Sequence, residues 1–290
     1  MSMDSDGYGL ADRNGHSGQI QVSFIAEIVT GSDRQLNKEG VHSMRYGMSV
    51  RRTVVVAGLL IGVIGSTVVQ AKDVPVKSGQ KIAFMGDSIT QGGANGPKGY
   101  VNMVISGLAA NNIKAECIPA GISGHKSNDM LARLNNDVIS KKPDWMTLSC
   151  GVNDVWHGAN GVPLDKYMEN ITKIVEQCRD AKIKVVILTS TMIGEDEPNA
   201  NNQKLIAYND FLRKLAKDKK LLLADLNADM QAAIKKAGPD KKGNLLTGDG
   251  VHMNDAGNKM MATGVLKAFG LSASQMTKAE KAWAGGEAKK

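Results

Sequence analysis

The chain has 290 residues, 42% of them hydrophobic and 22% charged, which is the balance of a globular protein and argues against a disordered or collagen-like chain. Three cysteines with no C-x-x-C pair cannot build a disulfide scaffold or a zinc site, and 4% aromatics argue against stacking platforms for single-stranded nucleic acid. The net charge of +7 lies wholly beyond residue 71, largely as lysines scattered through 204–242 and at Lys278, Lys281, Lys289 and Lys290, and reads as a solvated surface with no nucleic-acid partner.

In chain order, residues 1–47 mix Gly, Ser, Asp and Arg without sustained periodicity and read as an unstructured upstream extension, the natural start being Met48 or Met44. Arg51 and Arg52 then precede the apolar run 54–65, VVVAGLLIGVIG, and Val69-Gln70-Ala71 follows with small residues at its first and last positions. A basic start, a short apolar stretch and a V-x-A exit describe a signal peptide over 48–71 cleaved after Ala71. A membrane span needs about 20 apolar residues, so no stable membrane insertion is expected after cleavage, and the product is secreted or periplasmic.

Residues 72–290 read as one domain with a lysine-rich C-terminal extension, either helical or frayed. Lys81–Gly86, Lys114–Ile118, Trp145–Cys150, Lys184–Ser190 and Leu221–Leu226 are short apolar runs, as expected of strands buried on both faces. Between and after them come helical stripes, Leu164 to Cys178, Leu205 to Leu215, and Asn254–Phe269 with Asn254 as N-cap. Strand–helix alternation predicts an α/β fold, a three-layer α/β/α domain on a five-stranded parallel sheet. In such a sheet ligands bind beyond the carboxyl ends of the strands.

Polar clusters stand at those ends: Gly86-Asp87-Ser88-Ile89-Thr90 after the first strand, Gly121 after the second, and Gly151-Val152-Asn153-Asp154 after the third. Asp249-Gly250-Val251-His252 precedes the last helix. The set supplies what acyl transfer requires. A serine hydroxyl becomes a nucleophile when a base takes its proton, which His252 can do, and Asp249 three residues earlier can hold the other ring nitrogen. Backbone N–H groups of Ser88 and Gly121 and the Asn153 amide are candidate oxyanion donors.

Taken singly, each has a simpler account: Ser88 as a helix cap, Gly121 as a left-handed turn residue, Asp249 and Asp154 as turn formers, His252 as a half-buried histidine. His125 and His157 lie just after two of the clusters and are rival bases. With Trp156 they are assigned to the substrate wall, a loop tryptophan covering core being the alternative for Trp156. Cys117, Cys150 and Cys178 read as small buried hydrophobes.

Together the four blocks resemble the SGNH (GDSL-type) hydrolases, in family order across 81–269. The resemblance implies a flavodoxin-like fold, Ser88 as nucleophile, His252 as base, Asp249 as its orienter, and Ser88, Gly121 and Asn153 as the oxyanion hole. It implies no cofactor and no metal. The substrate is left open by the family. The loop Gly92–Gly99 is short, polar and flexible in composition, and Ile193–Asn202 carries Glu195, Asp196, Glu197 and three asparagines, which reads as a polar wall. With export, that favours an acetylated carbohydrate as the ester substrate. A lysophospholipase or thioesterase, a glycan-binding module and an O-acyltransferase are the alternatives.

Overall fold

The computed structural model describes residues 74–285, Glu197 and Pro239 apart. The stretches read from sequence as an upstream extension (1–47) and a signal peptide (48–71), and Lys289–Lys290, lie outside the described residues. β1 (Lys81–Gly86) leads into α1 (Ser88–Gly93) and α2 (Tyr100–Ala109), and β2 (Glu116–Gly121) into α3 (Ser127–Asp137). β3 (Trp145–Ser149) is followed by α4 (Val152–Trp156) and α5 (Leu164–Asp180), and β4 (Lys184–Leu188) by α6 (Ala200–Lys219). β5 (Leu222–Ala224), α7 (Leu226–Ala237), α8 (Asp255–Ala268) and α9 (Ala273–Gly285) complete the order.

All five strands are parallel in the order β2-β1-β3-β4-β5. Every residue of β3, and all but the first of β1 and β4, is buried, as a central parallel strand covered on both faces must be. α3 packs on α5 and α5 on α6, while α2 packs on α8 and α9 and α7 on α8, giving two helical layers around the sheet. Phe84 meets Tyr100 edge-on at 6.4 Å, and Trp145 meets Phe269 at 5.5 Å. Truncating one such fully buried aromatic costs about 3–5 kcal/mol, so the strand ends that carry the site stand on a rigid base. The strand order reverses at β1, whose neighbours β2 and β3 are reached by opposite turns of the chain, the place where sheets of this kind bind ligands.

Four strand boundaries differ from the sequence reading: β3 ends one residue early at Ser149, β5 spans only Leu222–Ala224, and the differences at β2 and β4 have plain physical reasons. The second strand starts later and runs through Pro119, where a strand was expected to have ended. β2 is an edge strand, and Ile122 N–H donates to the Gly86 carbonyl (3.1 Å), so positions 119 and 121 turn their nitrogens away from β1. A proline there removes no ladder bond. β4 stops at Leu188 because side chains replace the ladder beyond it: Ser190 N–H donates to Asn209 Oδ1 (2.8 Å) and Ser190 Oγ–H to the Cys150 carbonyl (2.7 Å). Asn254 caps α8 as expected, accepting from Gly257 N–H at 3.0 Å. The C-terminal segment is helical through 285, and Trp283 Nε1–H donates to the Met103 carbonyl (2.9 Å), holding α9 against α2.

Candidate active site

Ser88 is the first residue of α1, immediately beyond β1. The cap of that helix is Asp87, whose Oδ1 accepts from Ile89 N–H at 2.9 Å, so the capping role is taken and the Ser88 hydroxyl is free for another partner. That partner is His252, with Nε2 2.9 Å from Ser88 Oγ across 164 residues of sequence.

The turn that carries His252 is organised by Asp249. Its Oδ1 accepts from Val251 N–H (2.9 Å) and His252 N–H (2.7 Å), and its Oδ2 lies 2.6 Å from His252 Nδ1. The bond to His252 is the largest influence holding the Asp249 carboxyl far below the ordinary carboxylate range, so it is ionised at neutral pH. His252 and Asp249 side chains are 43% and 56% exposed, and the site lies open at the molecular edge.

Three potential donors stand at the carboxyl ends of β1, β2 and β3. As the first residue of a helix, Ser88 has a backbone N–H with no acceptor inside α1. Gly121 presents its N–H on the open side of β2. Its being glycine is a matter of close approach and not of a left-handed turn: a Cβ there would stand 2.3 Å from the Gln91 backbone nitrogen, against the first turn of α1. Asn153 lies in α4, reached through Gly151, whose φ of 133° lies in a region that side chains rarely adopt. Asn153 Nδ2 donates to the His125 carbonyl (3.1 Å) and its Oδ1 lies 3.2 Å from His157 Nε2, which orients the amide and leaves one Nδ2 proton over.

His125 thus meets the site through its backbone, while its own Nδ1 is enclosed without a partner. His157 contacts Asn153, not Ser88, so the geometry brings neither rival base to the nucleophile. Trp156 is 45% exposed at the end of α4 and is not a cover for the core.

Other polar groups take roles that the sequence reading did not give them. Arg133 donates to the Ala120 and Gly86 carbonyls (both 2.8 Å), tying the ends of β2 and β1 together behind Gly121 and Ser88. Asp154 is buried beside them and accepts from Ser127 N–H at 3.0 Å. The loop Gly92–Gly99 is braced, with Asn102 Nδ2 donating to the Ala94 and Gly96 carbonyls (2.8 Å each). The Ile193–Asn202 loop is turned inward: Asn202 is buried, and the Glu195 side chain is 1% exposed. It is therefore less of a polar substrate wall than its composition suggests, because its polar groups hold the protein itself.

Asp87 is fully buried, and burial raises its carboxyl from 3.8 to about 6, with the neighbouring Asp154 charge adding to the rise. Since the folded form holds this proton more tightly than the unfolded one, stability falls as pH climbs from about 4 to 6 and stays lower above. Asp87→Asn keeps an acceptor for Ile89 N–H without a buried charge. Urea titration should find it more stable than the parent by about 3 kcal/mol near pH 8, and by under about 1 kcal/mol near pH 4. Equal stability at the higher pH would contradict the assignment.

Residues 84–260 match the GDSL-like lipase/acylhydrolase family, and the chain belongs to that family. It is a carboxylic ester hydrolase of the SGNH type. An acetylxylan esterase of Geobacillus stearothermophilus is 28% identical over 214 residues, 67% of this chain and 96% of its own. An isoamyl acetate-hydrolyzing esterase of Saccharomyces cerevisiae is 25% identical over 213 residues, 65% of this chain and 85% of its own. Among solved structures, an acetyl xylan esterase is 36% identical with a TM-score of 0.61, covering 65% of this chain and 98% of that one.

Proposed function

We propose that this chain is an exported serine esterase that removes acetyl groups from carbohydrate hydroxyls by way of an acetyl-enzyme on Ser88. The observation that carries the reading is the hydrogen-bonded line Ser88 Oγ, His252 Nε2, His252 Nδ1, Asp249 Oδ2, at 2.9 and 2.6 Å, on an open edge. Ser88 Oγ attacks the ester carbonyl while His252 Nε2 takes its proton, and Asp249 holds the imidazole by its Nδ1–H and stabilises the imidazolium. The carbonyl oxygen, now negative, accepts from Ser88 N–H, Gly121 N–H and Asn153 Nδ2. His252 returns the proton to the departing sugar oxygen. Water, deprotonated by the same nitrogen, then attacks the acetyl carbonyl and releases acetate and Ser88.

Support for a short acyl group comes from the relatives, whose names specify acetyl esters of quite different alcohols. Support for a bulky hydrated alcohol comes from the exposure of His252 and Asp249 and from Trp156, whose open face beside Asn153 suits the face of a sugar ring. His125 and His157 flank the same approach. A binding module without chemistry has no use for the hydrogen-bonded line. A lysophospholipase or thioesterase needs an apolar channel for its chain, and an acyltransferase needs water kept out, which an open site does not favour.

Assay of the full chain on p-nitrophenyl esters of increasing acyl length, beside acetylated xylo-oligosaccharides, tests the substrate class. The highest kcat/KM is expected for acetyl, the acyl group that the relatives' names specify, falling at least about tenfold by eight carbons. A preference for chains beyond about eight carbons would replace this reading with a lipid or thioester substrate. Among the described residues no helix is long and apolar enough to cross a membrane. Export through 48–71 belongs to the same proposal, and a natural product that still carries residues 1–47 at its N-terminus would contradict it.

A further inference from the structure

The Asp249–His252 turn has no regular element of its own to fix it; it spans the gap between α7 and α8. Its own hydrogen bonds close a narrow loop, Gly248 N–H to the His252 carbonyl (2.8 Å) and Asn254 N–H to the Leu246 carbonyl (3.0 Å). Those bonds shape the loop but do not attach it to the sheet. Beyond the Val251 side chain, which is buried in the core, the attachment comes from the loop after β4, where Glu195 makes most of the bonds.

One Glu195 oxygen, Oε1, accepts from Leu246 N–H (2.7 Å), Thr247 N–H (2.8 Å) and Thr247 Oγ–H (2.8 Å). The other, Oε2, accepts from Leu245 N–H (2.6 Å) and from Lys241 Nζ (3.2 Å). Three successive backbone N–H groups, ending two residues before Asp249, thus converge on one buried carboxylate. A further bond joins the same two segments beside it, Gly194 N–H to the Gly250 carbonyl (2.7 Å). The Glu195 segment is itself fixed to α6, with Ile193 N–H donating to Asn202 Oδ1 (2.9 Å) and Asn202 Nδ2 to the Asp196 carbonyl (2.8 Å). Burial raises the Glu195 carboxyl and the donors outweigh it, leaving it ionised below the ordinary range.

We infer that Glu195 is a positioning residue for the reaction: its carboxylate anchors residues 245–247 to the β4–α6 loop and thereby sets where Asp249 and His252 stand relative to Ser88. The inference rests on the reading of those three residues as the catalytic set. Glutamate is required by the donor count. Five donors on two oxygens can be met by a carboxylate, whereas a glutamine would turn an NH2 group toward one or more N–H groups and leave buried donors unpaired. The turn would then shift, and a displacement of about 1 Å at a reacting group costs on the order of 100-fold in rate.

The test compares the full chain with Glu195→Gln and, as a milder variant that removes one donor, Thr247→Val. Steady-state hydrolysis of p-nitrophenyl acetate should show kcat lower by about 10- to 100-fold in Glu195→Gln, with KM within about twofold, because the open acyl site is untouched. The ring Cε1–H resonance of His252, read by carbon-edited NMR without substrate, should move in the direction that Asp249→Ala moves it. Thr247→Val should move both readings the same way by less. A folded Glu195→Gln protein with the parent resonance and kcat would overturn the inference. So would parent values in Thr247→Val, should the first variant fail to fold. The NMR reading separates the two proposals: a parent protein that cleaves no acetyl ester, yet whose His252 resonance shifts in Glu195→Gln, refutes the esterase mechanism and leaves the anchoring role standing.

Discussion

Replacing Ser88 by Ala should lower kcat on an acetyl ester by about 10⁴-fold or more, leaving only what the oxyanion donors and binding supply. The effect is large because two functions leave together: the atom that forms the acyl bond, and the partner that gives His252 a proton to move. The fold should not change. Asp87, not Ser88, caps α1, and the backbone N–H of residue 88 survives the substitution. His252→Ala should cost nearly as much, and the double variant should be little worse than either, since the two act as a unit. A Ser88→Ala protein that retains more than about a tenth of the parent rate would place the nucleophile elsewhere.

Asp249→Asn should reduce kcat by about 10²- to 10⁴-fold with little change in KM. The amide can still accept from Val251 and His252 N–H through its oxygen, so the turn survives. What changes is the group facing His252 Nδ1, which becomes an NH2 in competition with the carboxamide oxygen, and the imidazole is no longer held in the tautomer with Nε2 free to accept from Ser88. The lower part of that range is expected here because Asp249 is more than half exposed, and solvent supplies some of the stabilisation the carboxylate would give. The pair of kcat and KM values checks it. A rise in KM alone would mean that Asp249 binds substrate and does not orient His252.

The four signature blocks were legible because a parallel sheet brings the carboxyl ends of distant strands to one edge. Ser88, Gly121 and Asn153 each stand at or just beyond the end of a strand that hydropathy marks, and the central strands β1, β3 and β4 are almost wholly apolar, with Thr147 in the middle of β3. The capped start of α8 at Asn254 was legible for an equally local reason. Pro119 misled the boundary of β2, since a proline argues against a central strand and nothing local says that this one lies at an edge. Composition also misled for Glu195 and its neighbouring asparagines. Charged and amide residues in a loop usually face water, whereas here Glu195 has its partners some fifty residues onward, at Leu245, Leu246 and Thr247, and Asn199 and Asn202 bond the backbone of their own loop.

The roles of Asp87, Asp154 and Arg133 escaped too. Arg133 and Asp154 are charged side chains whose partners only the fold supplies, the Gly86 and Ala120 carbonyls for Arg133 and the α3 Ser127 N–H for Asp154, while Asp87 makes a local bond to Ile89 N–H and is buried by what packs over it. Asp154 had one local signal, its place beside Asn153 in the third block, but that signal carries no information about which group it faces. His157 gave a partial one. Its four-residue spacing from Asn153 puts the two on one side of the chain as it leaves α4, and the observed contact is between His157 Nε2 and Asn153 Oδ1.

The central claim is that Ser88 carries the acetyl group, and the most direct measurement is to catch it there. The full chain is mixed with p-nitrophenyl acetate, quenched in acid within the first turnovers, and weighed intact by mass spectrometry, with peptide mapping to locate any adduct. The account predicts one added acetyl group on a peptide containing Ser88, absent from Ser88→Ala and accumulating more in a His252→Ala protein than its residual turnover would suggest if deacylation is slowed further than acylation. Turnover of the ester with the adduct on another residue, or with the same adduct in Ser88→Ala, would contradict it.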